Sequence, residues 1–223
     1  MLVAETIKDI SNLFSKYRDP AKAVEMKAYM KNQFAFLGIQ ATQRRALQRH
    51  WLRKGLIEDG LVLNGLVSDL WTMPEREYQY FAMELYHNHN KPAPDGIRHI
   101  EEMIIHKSWW DTVDYIAVNI FGKWMQLFPE EREKIINKWL QSNNIWLQRS
   151  CILFQLKYKK QTDTTLLEKI ILQSTGSKEF FINKAIGWAL REYSKTNPAW
   201  VKNFCSTHPL HNLSRKEALR LII

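Results

Sequence analysis

A chain of 223 residues with 45% hydrophobic and 25% charged positions has the makeup of an ordinary globular protein, long enough for one large domain or two small ones. Nine Trp and ten Phe supply enough apolar surface to exclude intrinsic disorder. Thirty-two Lys and Arg against 23 Asp and Glu leave a net charge of +9, which points to a polyanionic partner, nucleic acid before anionic membrane.

No apolar stretch is long enough to span a bilayer, and the first ten residues lack the basic start and apolar run of a secretory signal. Cys151 and Cys205 lie far apart and form no recognisable metal or redox pair, so a cytoplasmic, reducing compartment is expected. Strand signals are nearly missing, whereas helix signals recur along the chain. Asp19-Pro20 opens the first clear helical pattern, with proline where a helix leaves an amide unused. Thr72…Glu75 has the spacing of a capping box, as do Thr165…Glu168 and Ser214…Glu217 further on. Residues 88–96, with Pro92 and Pro94, form the clearest loop, a hinge at most and not a domain boundary. Ile100, Met103 and Ile104 resume the helical period. Val113, Ile116, Ala117, Ile120, Phe121, Trp124 and Met125 hold it over three turns. Ile135, Ile136, Trp139 and Leu140 repeat it, and Phe128-Pro129 and Asn197-Pro198 mark two more helix starts.

The polar residues that open successive apolar helix faces are Arg45, Arg76, Asp114, Arg149, Lys184 and Lys216, with gaps of 31, 38, 35, 35 and 32. A helix pair with its turns takes about that length. The pattern favours an all-α, right-handed-type solenoid of about six HEAT-like helix-pair repeats over a compact bundle, as a single domain over residues 1–223. In such a stack these residues, five of them cationic, would line one basic concave face able to cradle a duplex.

Two segments read as more than scaffold. In Lys107-Ser-Trp-Trp-Asp-Thr-Val-Asp114, Trp110 and Asp114 are four apart and share a helix face, and an acid on an apolar face needs a partner or a task. Within residues 177–193, Lys184, Trp188 and Arg191 form a cation–aromatic–cation stripe suited to a phosphate backbone. Gly187 weakens that helix, which close approach of another backbone would explain. Arg149 shares a face with Ile145 and Leu153 and needs either a carboxylate such as Asp114 or a phosphate. Structural readings stand beside these: Trp110 and Trp188 as core aromatics, Asp114 and Arg149 as an ion pair tying neighbouring repeats. The histidines offer no pair at metal spacing on a clear helix, so no metal site is expected.

These residues resemble a known family. The runs Tyr29-Met-Lys-Asn, Phe36-Leu-Gly-Ile-Gln40, Leu70-Trp, Pro74-Glu-Arg-Glu, Lys107 through Asp114, Asn144 through Arg149 and residues 177–193 look like the HEAT-like-repeat alkylpurine DNA glycosylases, the AlkD-type DNA alkylation repair enzymes. The resemblance runs from about Pro20 to Lys216. It implies a monofunctional glycosylase that hydrolyses the N-glycosidic bond of cationic N3- or N7-alkylated purines in duplex DNA without turning the lesion into a pocket, and that needs no metal or other cofactor. Asp114 matches the family's catalytic carboxylate, and Trp110 and Trp188 its two indoles beside the damaged nucleotide. Arg149 matches an arginine at the phosphate backbone, and Tyr29 and Gln40 match N-terminal DNA contacts. Arg45, Phe181, Lys184 and Arg191 complete the expected DNA-binding set. Double-stranded DNA is the expected partner, with no membrane and a monomeric chain. The stretch Thr42-Gln-Arg-Arg45 departs from the family in lacking a proline at this turn. The alternative is a non-catalytic HEAT-like protein binding branched or distorted DNA. A HEAT-type scaffold whose basic groove meets an acidic protein is a third possibility.

Overall fold

The side chain of Asp19 accepts a hydrogen bond from the amide of Lys22 at 3.0 Å, and Asn197 accepts one from Trp200 at 3.0 Å. A proline follows each at the first helical position, so both helix starts are set as the Asp-Pro and Asn-Pro pairs predict. In the computed structural model, which describes residues 3–222, such starts organise an all-helical chain. Among the described residues the one departure is an isolated parallel bridge between Ala35 and Glu75. The capping boxes did not materialise. Thr72 ends a helix instead of starting one, and Asp163 rather than Thr165 caps the helix after it. His211 caps the last helix, while Ser214 is buried and donates to the carbonyl of Asn183 at 2.8 Å. In the last two cases an Asp or His slightly upstream satisfies a free amide first and fixes the start, whereas Glu75 opens its helix with no side-chain cap.

Contacts divide the chain into two compact units at Pro92/Ala93, inside the proline-bearing loop. The first unit holds α1 (Val3–Lys16), α2 (Pro20–Tyr29), α3 (Ala41–Gln48), α4 (Gly60–Thr72) and α5 (Arg76–His89). Ile10 and Phe14 of α1, Leu66 and Leu70 of α4 and Phe81 of α5 are fully buried, and the rings of Phe14 and Phe81 meet edge-on at 6.3 Å. Phe14 stacks on Tyr78 with centroids 5.5 Å apart. The buried carboxylate of Glu77 accepts from the amides of Leu37, Gly38 and Ile39 at 3.0, 2.9 and 3.1 Å, fixing the turn before α3. Burial raises the Glu77 pKa, and those amides work against the rise. Only glycine fits at 38, where φ is +89° and a Cβ would lie 2.0 Å from the Asp19 carbonyl.

The second unit holds α6 (Ile97–Ile105), α7 (Trp110–Ile116), α8 (Gly122–Leu127), α9 (Arg132–Leu140), α10 (Ile145–Leu153), α11 (Thr164–Ser174), α12 (Phe180–Ser194), α13 (Pro198–Thr207) and α14 (Asn212–Ala218). A widened π segment, Ala117–Phe121, joins α7 to α8 as one helix over 110–127. Every one of the seven apolar residues that set its period is buried. The helices are tied in two series. Lys138 of α9 reaches Glu101 of α6, and Lys169 of α11 reaches Glu133 of α9, across 37 and 36 positions. In the other series α10 bonds to α7 and α12 bonds to α14, across 35 and 33 positions. These four bonds span 33 to 37 positions of the chain.

Candidate active site

Trp109, extended at the entrance to α7, sets the first wall of the site. Its ring lies 5.7 Å from Trp146 of α10 and 5.2 Å from Phe181 of α12, so one aromatic cluster joins three helices. Trp110 follows as the first residue of α7 and is half-buried, with Asp114 one turn on. Arg149, from the middle of α10, grips Asp114 with both arms: Nε donates to Oδ1 at 2.7 Å and Nη2 to Oδ2 at 2.8 Å. Its Nη1 donates to the carbonyl of Phe181. Arg149 is only 4% exposed, whereas Asp114 keeps 14% of its side chain open to solvent. Of the two partners offered to Arg149 by the sequence, the structure shows the carboxylate of Asp114. Burial pushes the Asp114 carboxyl above the ordinary carboxylate value, and the hydrogen bonds and charge of Arg149 pull it back.

On α12, Lys184 and Arg191 sit one turn before and one turn after the half-buried Trp188. Both turn to a single acid, Glu217 of α14: Lys184 Nζ donates to Oε2 at 2.7 Å, and Arg191 pairs with Oε1. Burial, together with the nearby charges of Arg191, Arg220 and Arg149, holds the Lys184 pKa below its ordinary value. Gly187 is where α14 comes closest. A Cβ there would lie 2.6 Å from Glu217 Cβ and 3.0 Å from the Ser214 carbonyl, the close backbone approach expected of that glycine.

The remaining predicted contacts belong to the first unit. Tyr29 is 69% exposed at the end of α2, and Gln40 is exposed just before α3. Arg45 is also largely exposed, with Nε on Glu84 Oε1 at 3.2 Å. One of the expected groove-lining cations, Arg76, is corrected. Arg76 is completely buried, its guanidinium 3.8 Å from the Phe34 ring centroid. Lys216 is exposed, and its neighbour Glu217 is the residue that faces α12. Several cations are thus matched by acids inside the fold, Arg44 and Arg45 by Glu84, Arg149 by Asp114, and Lys184 and Arg191 by Glu217. Sequence reasoning missed Glu84, Glu217 and the exposed ring of Phe180; Gly187 was the one signal pointing toward Glu217. Among the described residues no group of three or more His, Cys, Asp or Glu is placed to hold a metal, and no helix is long and apolar enough to cross a membrane.

With that geometry in view, residues 10–222 match the DNA alkylation repair enzyme family. The chain belongs to that family. A solved structure, a predicted DNA alkylation repair enzyme from Enterococcus faecalis, is similar to it with a TM-score of 0.83 and 33% identity, covering 92% of this chain and 96% of that one. No curated protein matches the chain. The family match spans both units and takes in Asp114, Arg149 and α12. As a DNA alkylation repair enzyme, the chain has a role in repair and a DNA substrate.

Proposed function

We propose that this chain is a monofunctional DNA glycosylase that hydrolyses the N-glycosidic bond of cationic N3- or N7-alkylated purines in duplex DNA. It would do so from a single domain of HEAT-like repeats and without a base-shaped pocket. The observation that carries this reading is Asp114, a carboxylate held through both oxygens by Arg149 yet still 14% exposed, one turn from Trp110. The recurrence of bonds at 33 to 37 positions between successive helix pairs supports the repeat architecture.

Little chemistry is needed beyond what such a carboxylate offers. A purine alkylated at N7 or N3 is already positively charged, so the electrons of the breaking C1′–N bond neutralise the base and it leaves without a general acid. Positive charge then develops on the sugar, where a preorganised carboxylate stabilises it. Water adds to C1′ and gives its proton to Asp114 or to solvent. Arg149 acts as a positioning residue, keeping the carboxylate oriented and ionised. Trp110 and Trp188 would pack against the deoxyribose and the cationic base, limiting solvent access. Lys184 and Arg191, only partly covered, would meet phosphates, and Tyr29, Gln40 and Arg45 would add contacts to the duplex. Phe181 would serve from within the aromatic cluster, backing Arg149.

The selectivity follows from the leaving group. Incubation with duplexes carrying 7-methylguanine or a neutral lesion such as uracil should release the first base and spare the second. Absence of 7-methylguanine release above the spontaneous rate would reject the enzyme reading.

A further inference from the structure

Phe180 is one of several large apolar side chains left open to solvent, and the one that adjoins the aromatic cluster beside Arg149. It is the first residue of α12, and 58% of it is exposed, although the three aromatic rings behind it are packed together. Its ring meets Phe181 edge-on at 5.5 Å, Phe181 meets Trp146 at 4.9 Å, and Trp109 closes the cluster. The cluster is built from the starts of α7, α10 and α12, so Phe180 projects from a braced base and not from a loop. It is also continuous with the site. The carbonyl of Phe181, the next residue, accepts from Arg149, and Arg149 holds Asp114. The ring is thus linked through Phe181 and Arg149 to the carboxylate of Asp114, and a partner covering it would remove apolar surface from water.

We propose that Phe180 is an apolar contact to duplex DNA at the edge of the site, packing its ring on the base or deoxyribose of a nucleotide next to the one served by Asp114. The inference rests on the DNA-repair reading and adds a recognition element of a different kind from the phosphate contacts. Base and sugar faces are the part of DNA that an uncharged aromatic ring recognises, and stacking of this sort tolerates any sequence. A rigid ring on a protein that reads no base edge would help hold the damaged strand against the carboxylate.

The test is duplex binding by Phe180→Ala, Phe180→Leu and Phe180→Trp in the full chain, by fluorescence anisotropy at several salt concentrations with a 7-methylguanine duplex. Phe180→Ala should bind about tenfold more weakly with an unchanged salt slope, since no phosphate contact is lost. Phe180→Trp should retain wild-type affinity and Phe180→Leu should fall between. Melting temperatures should stay within a few degrees of wild type, because the ring is already in solvent. Wild-type affinity in Phe180→Ala overturns the proposal. So does a loss of affinity that tracks a fall in melting temperature and that Trp does not restore, which would make Phe180 a cover for the cluster. A wild-type chain that binds duplex but releases no base rejects the glycosylase reading and leaves the binding comparison decisive for Phe180; one that binds no duplex overturns both.

Discussion

Arg149 and Asp114, 35 positions apart, are joined through both carboxylate oxygens, with the arginine buried beneath and the acid still reachable from solvent. This asymmetry separates the pair from an ordinary tie between helices. Burying an ion pair seldom adds net stability, because desolvation consumes most of the attraction. What the pair supplies is a carboxylate of fixed direction.

The pH dependence follows from that balance. Burial raises the Asp114 pKa above its ordinary 3.8, while Arg149 lowers it by hydrogen bond and charge. If the anion is the working form, single-turnover excision has an acid limb above the ordinary carboxylate range, with rate falling as pH drops. Arg149→Met removes the lowering influence and should move that limb to higher pH. The linkage has a definite sign: a raised folded-state pKa contributes stability below the unfolded value, and that contribution is lost as pH rises through the folded value. Arg149→Met should therefore lose stability most toward neutral pH, by about 3 to 5 kcal/mol for a buried charge left alone. Rate and urea-unfolding profiles between pH 4 and 8 check both outcomes; an acid limb unmoved in Arg149→Met counts against the positioning role.

Glu217 holds Lys184 and Arg191 together on either side of Trp188. Glu217→Gln removes the counter-charge and leaves two cations for a polyanion. Duplex affinity should rise, and the slope of log affinity against log salt should steepen by up to about one unit. Titrations at several salt concentrations measure it. An unchanged slope would mean that these cations do not meet phosphate.

At Gly187 two influences oppose each other. Alanine gains about 1 kcal/mol of helix propensity over glycine. Its Cβ, however, would lie 2.6 Å from Glu217 Cβ and 3.0 Å from the Ser214 carbonyl, so α14 must shift. Overpacking of this kind costs about 1 to 3 kcal/mol, which outweighs the gain. Gly187→Ala should therefore unfold at lower urea concentration than wild type. A stabilised variant would show that α12 and α14 are not so closely seated.

The helices were legible from local chemistry. The apolar period from Val113 to Met125 marks a buried face, and Asp19-Pro20 and Asn197-Pro198 mark helix starts, because both signals lie within a few residues of the structure they cause. Trp110 and Asp114 were placed on one face by spacing alone. Pairing across helices was another matter. Arg76 reads as a groove cation but is buried against Phe34, and one position decides whether Lys216 or Glu217 faces α12. That choice depends on the rotation of α14 against α12, set by Ser214 on Asn183 and by the space at Gly187, contacts about 30 positions apart in the chain. A count of basic residues likewise cannot reveal that Glu84, Asp114 and Glu217 lie among the cations.

The most direct test of the account is single-turnover release of 7-methylguanine from duplex DNA by wild type and Asp114→Asn. The substitution keeps the size of the side chain and removes its charge. The account predicts release by wild type well above the spontaneous rate. In Asp114→Asn it predicts a loss of about 10²- to 10³-fold, the scale of one preorganised electrostatic contact, with duplex affinity close to wild type. A folded Asp114→Asn protein that releases base at the wild-type rate would contradict it.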